Sequence, residues 1–120
     1  MRSIARIDSE TRGDHRTGSD VIRVRILVVK FEWDPAKARQ NIRNHGVSFE
    51  EALTVFADWD QITIPDYEHS VGEQRWVILG RSSRGNLLVV PHTERGEYIR
   101  IISAWHANAR QRRQYESKER

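Results

Sequence analysis

FEWDPAKARQNIRNHGVSFEEALTVF, residues 31–56, passes from strand to helix to helix with a chemical signal at each junction. Asp34 is a good N-cap and Pro35 takes the first helical position, where its missing N–H costs nothing. Trp33 can staple onto Ala38, and Gly46 stands where a left-handed C-cap is wanted, so a first helix is predicted between them. Ala38 and Ile42 share its apolar face. Ser48 opens a second helix, with Glu51 three residues on as in a capping box and Val47 and Ala52 as a staple. Phe49, Leu53 and Phe56 form its buried stripe, which should end near Asp58.

Working outward, the β-branched residues of segment 22–31 alternate with Arg23 and Arg25 and then become continuously apolar, which predicts a strand ending near Glu32. After Met1, residues 2–20 have only Ile4, Ala5 and Ile7 as apolar side chains and cannot bury enough surface to offset their ordering entropy. The expected organisation is therefore a disordered extension over residues 1–21 and a single domain over residues 22–120. After residue 60 the period becomes extended, with candidate strands at 61–64, 75–80, 87–90 and 98–104. Ser82, Ser83, Arg84, Gly85 and Asn86 read as one hairpin loop, and Thr93, Glu94, Arg95 and Gly96 as another, giving an antiparallel meander. Pro91 cannot donate to a ladder and marks a strand end or an edge. Residues 106–118 are polar, arginine-rich and helix-favouring. The predicted class is α+β: an antiparallel sheet with the two N-terminal helices packed on it, all helices on one face, and a C-terminal helix.

At 120 residues the chain has room for one domain. Hydrophobic and charged fractions of 38% and 31% describe a modest core under a charged exterior, and no apolar run approaches membrane-spanning length, so a cytoplasmic location is expected. The absence of cysteine excludes disulfides, thiol catalysis and thiolate zinc sites. Charge is unevenly placed: residues 48–73 hold seven acids and no Lys or Arg, while the flanks, 1–47 and 74–120, carry net +4 and +6. Two regions thus favour a polyanion and one repels it.

Five stretches in order carry a resemblance. They are Phe31-Glu32-Trp33-Asp34-Pro35 with Lys37 and Ala38; Asn41 with His45-Gly46-Val47-Ser48-Phe49-Glu50-Glu51-Ala52; Gly72-Glu73 with Arg75; His92-Thr93-Glu94-Arg95 with Arg100-Ile101-Ile102-Ser103-Ala104; and Arg112-Arg113 with Tyr115-Glu116. Over about residues 30–116 the sequence resembles the BrnT toxins of type II toxin–antitoxin systems, and because the resemblance begins near Lys30 it implies a natural start near Val28 or Val29. That resemblance implies a RelE-like fold, an endoribonuclease activity that halts translation, and a BrnA-type antitoxin, a ribbon-helix-helix DNA-binding protein. DNA would then be met only through the antitoxin. Where such relatives commonly carry Arg and then Lys, this chain has Trp105 and His106.

Metal-free RNA cleavage needs help in deprotonating the ribose 2′-hydroxyl, cations for the phosphoryl oxygens, and an acid for the leaving 5′-oxygen. Arginine's planar fork matches phosphate and stays protonated. Arg75 and Arg100, each in or beside a predicted strand, are the candidate catalytic cations; for Arg100 a cross-strand ion pair with Glu73 or Glu94 is the competing reading. His92, at a strand end, is the candidate proton-transfer group, against a turn or core histidine. Arg95, Arg110, Arg112, Arg113 and Tyr115 are the candidate RNA contacts, with packing the alternative for Tyr115. His45 reads better as a helix C-terminal residue, Glu50 and Glu51 as helix N-terminal electrostatics, and His106 as a substitute acid. The histidines form no His-Glu-x-x-His pattern, so no metal or cofactor is expected. Two functions remain open: an endoribonuclease acting on RNA, with or without the ribosome, or a catalytically impaired module that binds nucleic acid or antitoxin.

Overall fold

The computed structural model describes residues 29–118 and, before them, the backbone of three short strands. Along the chain run β1 (Ala5–Asp8), β2 (Arg23–Val24), β3 (Leu27–Val28), β4 (Lys30–Trp33), α1 (Pro35–His45), α2 (Phe49–Leu53), β5 (Ile62–Pro65), β6 (Arg75–Arg81), β7 (Leu87–Arg95), β8 (Tyr98–Ile101), β9 (Trp105–His106) and α3 (Ala109–Lys118). The segment expected to be a disordered extension thus contributes β1, antiparallel to β4; the rest of residues 1–21 lies outside the described residues.

The helix signals act as the local chemistry requires. Asp34 accepts from the Ala36 amide at 2.9 Å, and Gly46, at φ 70°, closes α1 by donating to the Ile42 carbonyl. Ser48 caps α2 through the Glu51 amide. The reciprocal half of the capping box is replaced: the Glu51 carboxylate accepts from Ser82 at 2.6 Å and Asn86 at 2.8 Å, tying α2 to the β6–β7 hairpin loop. A 3-10 turn over Thr54–Ala57 follows and passes so close to β6 that a Cβ on Gly80 would meet Val55 at 3.1 Å. Ile42 is exposed, contrary to its place on the expected apolar face. Asn41 is buried there instead, donating to the Val47 and Ala104 carbonyls and accepting from Ser103 and the Ala104 amide. All four of its hydrogen-bonding positions are used.

The sheet order is β1-β4-β8-β7-β6-β5, with β9 beside β7. It is mixed rather than antiparallel, because β4 and β8 run parallel, Lys30 opposite Tyr98 and Glu32 opposite Arg100. Hairpin chemistry specifies only strands adjacent in sequence, and this pairing joins residues nearly seventy positions apart. β7 also runs through Pro91 to Arg95, so the second hairpin is a tight turn at Gly96 and Glu97 rather than a loop from Thr93. Pro91 is tolerated inside a central strand because its carbonyl, accepting from Ile102 at 3.0 Å, faces the break between β8 and β9. Its missing N–H falls where no ladder bond is needed.

Side chains alternate between two cores. Phe31, Phe49, Leu53, Ile78, Leu88 and Val90 pack under α1 and α2, while Leu79, Leu87, Val89 and Tyr115 pack on the opposite face under α3. The helices therefore cover both faces, correcting the one-sided arrangement expected. Each fully buried apolar side chain of this kind stabilises by roughly 1.5–3 kcal/mol.

Candidate active site

A row of polar residues crosses the face that α3 packs on. Arg75 of β6 stands opposite Thr93 of β7, Thr93 opposite Arg100 of β8, and Arg100 opposite Glu32 of β4, all in register. Residues in register share a face, so the two arginines flank Thr93 about 10 Å apart at the backbone, a gap that two guanidinium arms can close over one anion. They line a recess of about 70 Å³ with Asp34, Lys37, Glu73, Thr93, Arg95, Ile101 and Ile102. That volume accommodates a few waters or one tetrahedral anion. Lys37 arrives from the first turn of α1, which the Asp34–Pro35 signal places here. Four cationic and two acidic side chains line the recess, so it is positive overall.

The four cations differ in their commitments. Arg100 is buried and faces the equally buried Glu32 at 3.5 Å, an ion pair of the expected kind with a different partner. Arg95 makes a two-pronged pair with Glu73, Nε to Oε2 at 3.2 Å and Nη2 to Oε1 at 3.0 Å, half-exposed to solvent. The Arg95 hydrogen bond holds the Glu73 carboxyl below the usual range, aided by the charges of Arg95, Arg75 and Arg100. Among the described residues, the Arg75 guanidinium makes no ion pair, and Lys37 is exposed and equally uncommitted. Thr93 donates its hydroxyl to the Gln74 carbonyl at 2.6 Å, pinning the segment that carries Glu73 and Arg75.

His92 does not join this group. It pairs with Trp76 and Ile101, one position out of phase with the arginine row, and so enters the opposite core, edge-on to Phe56 with ring centroids 4.8 Å apart. Its Nδ1 lies 2.9 Å from the Val90 carbonyl. Burial pushes its pKa below 6.5, partly opposed by that hydrogen bond and by Glu94. The folded state favours the neutral ring, so this contribution to stability is complete above 6.5 and is lost as pH falls through the lower folded value. The urea midpoint should drop as pH falls below 6.5, and His92→Gln should flatten that decline; an equally steep decline in the variant would place the titration elsewhere.

Tyr115 is likewise inside, 1% exposed, donating to Asp58 at 2.5 Å beneath the Arg81 guanidinium. Arg110, Arg112 and Arg113 are exposed on α3. Sequence reading missed Lys37, Glu73 and Thr93 as lining residues: Thr93 to Gly96 reads as a loop, and Lys37 and Glu73 come from elements distant in sequence whose meeting only the fold decides. No group of three His, Asp or Glu among the described residues could hold a metal ion.

The family model described as "Ribonuclease toxin, BrnT, of type II toxin-antitoxin system" matches residues 33–111, about two thirds of the chain. The chain belongs to the BrnT family. In this BrnT chain the matched span includes every lining residue of the recess. Among solved structures, it is similar to the 1.1 Å crystal structure of the Brucella abortus ribonuclease toxin BrnT, with 22% identity and a TM-score of 0.47 over 63% of this chain and 92% of that one. No curated protein matches it. The BrnT family is one of ribonuclease toxins from type II systems, which pair a toxin with an antitoxin. No described helix is long and apolar enough to cross a membrane.

Proposed function

We propose that this BrnT chain is a metal-independent endoribonuclease of RelE-like type. It cleaves RNA, messenger RNA above all, within the cytoplasm, arrests translation, and is neutralised by a BrnA-type antitoxin. The observation that carries the reading is the in-register row Arg75–Thr93–Arg100 closing on a recess of phosphate size. Fixed guanidiniums supply there the positive charge that the developing phosphoryl oxygens require, without reorganisation at the moment of reaction.

The chemistry follows from the lining. Glu73, held ionised by Arg95, accepts the proton of a ribose 2′-hydroxyl. The 2′-oxygen bonds to the adjacent phosphorus and the bond to the 5′-oxygen breaks, leaving a cyclic phosphate. Lys37 is the lining cation able to give the 5′-oxygen a proton, since guanidinium keeps its own at physiological pH. Arg75 and Arg100 hold the phosphoryl oxygens, Arg95 orients Glu73, and Arg110, Arg112 and Arg113 of α3 attract the flanking backbone. An antitoxin surface is supported by the exposed Trp59, Ile64, Tyr67 and Val71 in and around the β5 end of the sheet, within the acid-rich segment.

Purified protein should cut single-stranded RNA in excess EDTA and leave 5′-hydroxyl ends, and induction without antitoxin should stop protein synthesis. A strict requirement for a divalent cation would refute the mechanism. Salt-sensitive RNA binding with no cleavage, in buffer or in ribosome-containing lysate, would establish the binding-module reading instead.

A further inference from the structure

Outside the recess lies a second, shallower concavity of about 610 Å³, lined by Asn44, His45, Trp105 and His106. We infer that it is a stacking site for an unpaired nucleobase of the RNA whose phosphate occupies the arginine recess, an inference that rests on the ribonuclease reading above.

Three observations carry it. The first is the indole's mounting. Trp105 packs against the Leu79–Leu87–Val89–Tyr115 core on one side and contributes to the concavity on the other. It is thus a flat aromatic surface whose rotamer the core already holds, and a base that stacks on it meets little ordering cost. The second is company. The His45 ring stands 5.8 Å from the indole at 47°, an aromatic contact that borders the concavity and steadies the indole's edge. His106 and Asn44 are exposed beside it and offer donors and acceptors for a base edge.

Placement is the third. Trp105 pairs with Val89 on β7, and Thr93 of the arginine row lies four residues further along the same strand on the same face. That separation is roughly 13 Å along the strand, which a short stretch of extended single-stranded RNA spans. His106 pairs with Leu88 and so turns to the other face, where α1 contributes Asn44 and His45; the concavity therefore opens at the β9 edge, within reach of the arginine row rather than on its face, and stacking is tolerant of base identity because every base has a π-face.

The test uses the full-length protein and two non-cleavable 2′-O-methyl hexamers, one bearing bases and one abasic, compared by anisotropy at fixed salt. The parent should prefer the base-bearing strand by about tenfold. Trp105→Leu, which keeps apolar volume for the core but removes the π-face, should reduce that preference to about twofold while binding the abasic strand as before. Trp105→Phe should keep most of it. If Trp105→Leu does not fold, His45→Ala, on the exposed surface, should cut the preference by about threefold. A preference untouched in the folded variant, or a parent that binds both strands equally, overturns this site and leaves the ribonuclease reading standing. A parent that binds neither strand overturns both.

Discussion

Arg75→Ala is expected to slow RNA cleavage by roughly two to three orders of magnitude while leaving the urea unfolding midpoint nearly unchanged. The two halves of that expectation have separate causes. Arg75 is half-buried and its guanidinium makes no ion pair among the described residues, so truncating it strands no carboxylate in the interior. Yet it stands across Thr93 from Arg100 at the wall of the recess, aimed where phosphoryl charge would grow. Removing one preorganised donor from such a position costs far more in the transition state than in the ground state. Cleavage at the parental rate in Arg75→Ala would remove the recess from the reaction. Loss of cleavage together with gross unfolding would make the residue structural.

Arg100→Ala is expected to be the most destabilising change in the site, by about 3 kcal/mol in urea unfolding. Both members of the Arg100–Glu32 pair are almost wholly buried, 7% and 3% exposed as side chains, so water cannot replace the guanidinium when it is removed. The buried Glu32 carboxylate then loses the Arg100 charge. For this reason loss of cleavage in Arg100→Ala says little about chemistry on its own. Arg100→Lys separates the two roles: it keeps a positive charge beside Glu32 and should recover most of the stability, but an ammonium cannot present forked donors to a phosphate, so cleavage should stay low. Full stability in Arg100→Ala would contradict the pair's structural weight, and full activity in Arg100→Lys would make Arg100 a plain counter-charge.

The contrast between these arginines and His92 shows what was legible in the residues. Arg75 and Arg100 are candidates because strand positions hold long cations rigidly, an argument that needs only local structure, and the fold brings both to one recess. His92 was placed beside them on the same grounds, as a titratable group at a strand end, but a strand has two faces and one residue's shift in register reverses them. Thr93, its neighbour, is the residue that reaches the recess. Tyr115 follows the same logic: its helix was foreseen, but the face it turns inward depended on a core formed by β6 and β7.

Local chemistry in the amino-acid order was sufficient for the caps of α1 and α2, the Ser82–Asn86 loop, the succession of strands after residue 60, the α+β class, and the family motifs. Each of these depends on residues within a few positions of one another, where backbone preferences and short hydrogen bonds operate before any core exists. Tertiary structure alone decided the parallel joining of β4 to β8, the covering of both sheet faces, the burial of His92, and the meeting of Lys37, Glu73, Arg75, Arg95 and Arg100 in one recess. Those outcomes turn on register between distant strands, and register is settled by which apolar faces can be buried together across the whole chain.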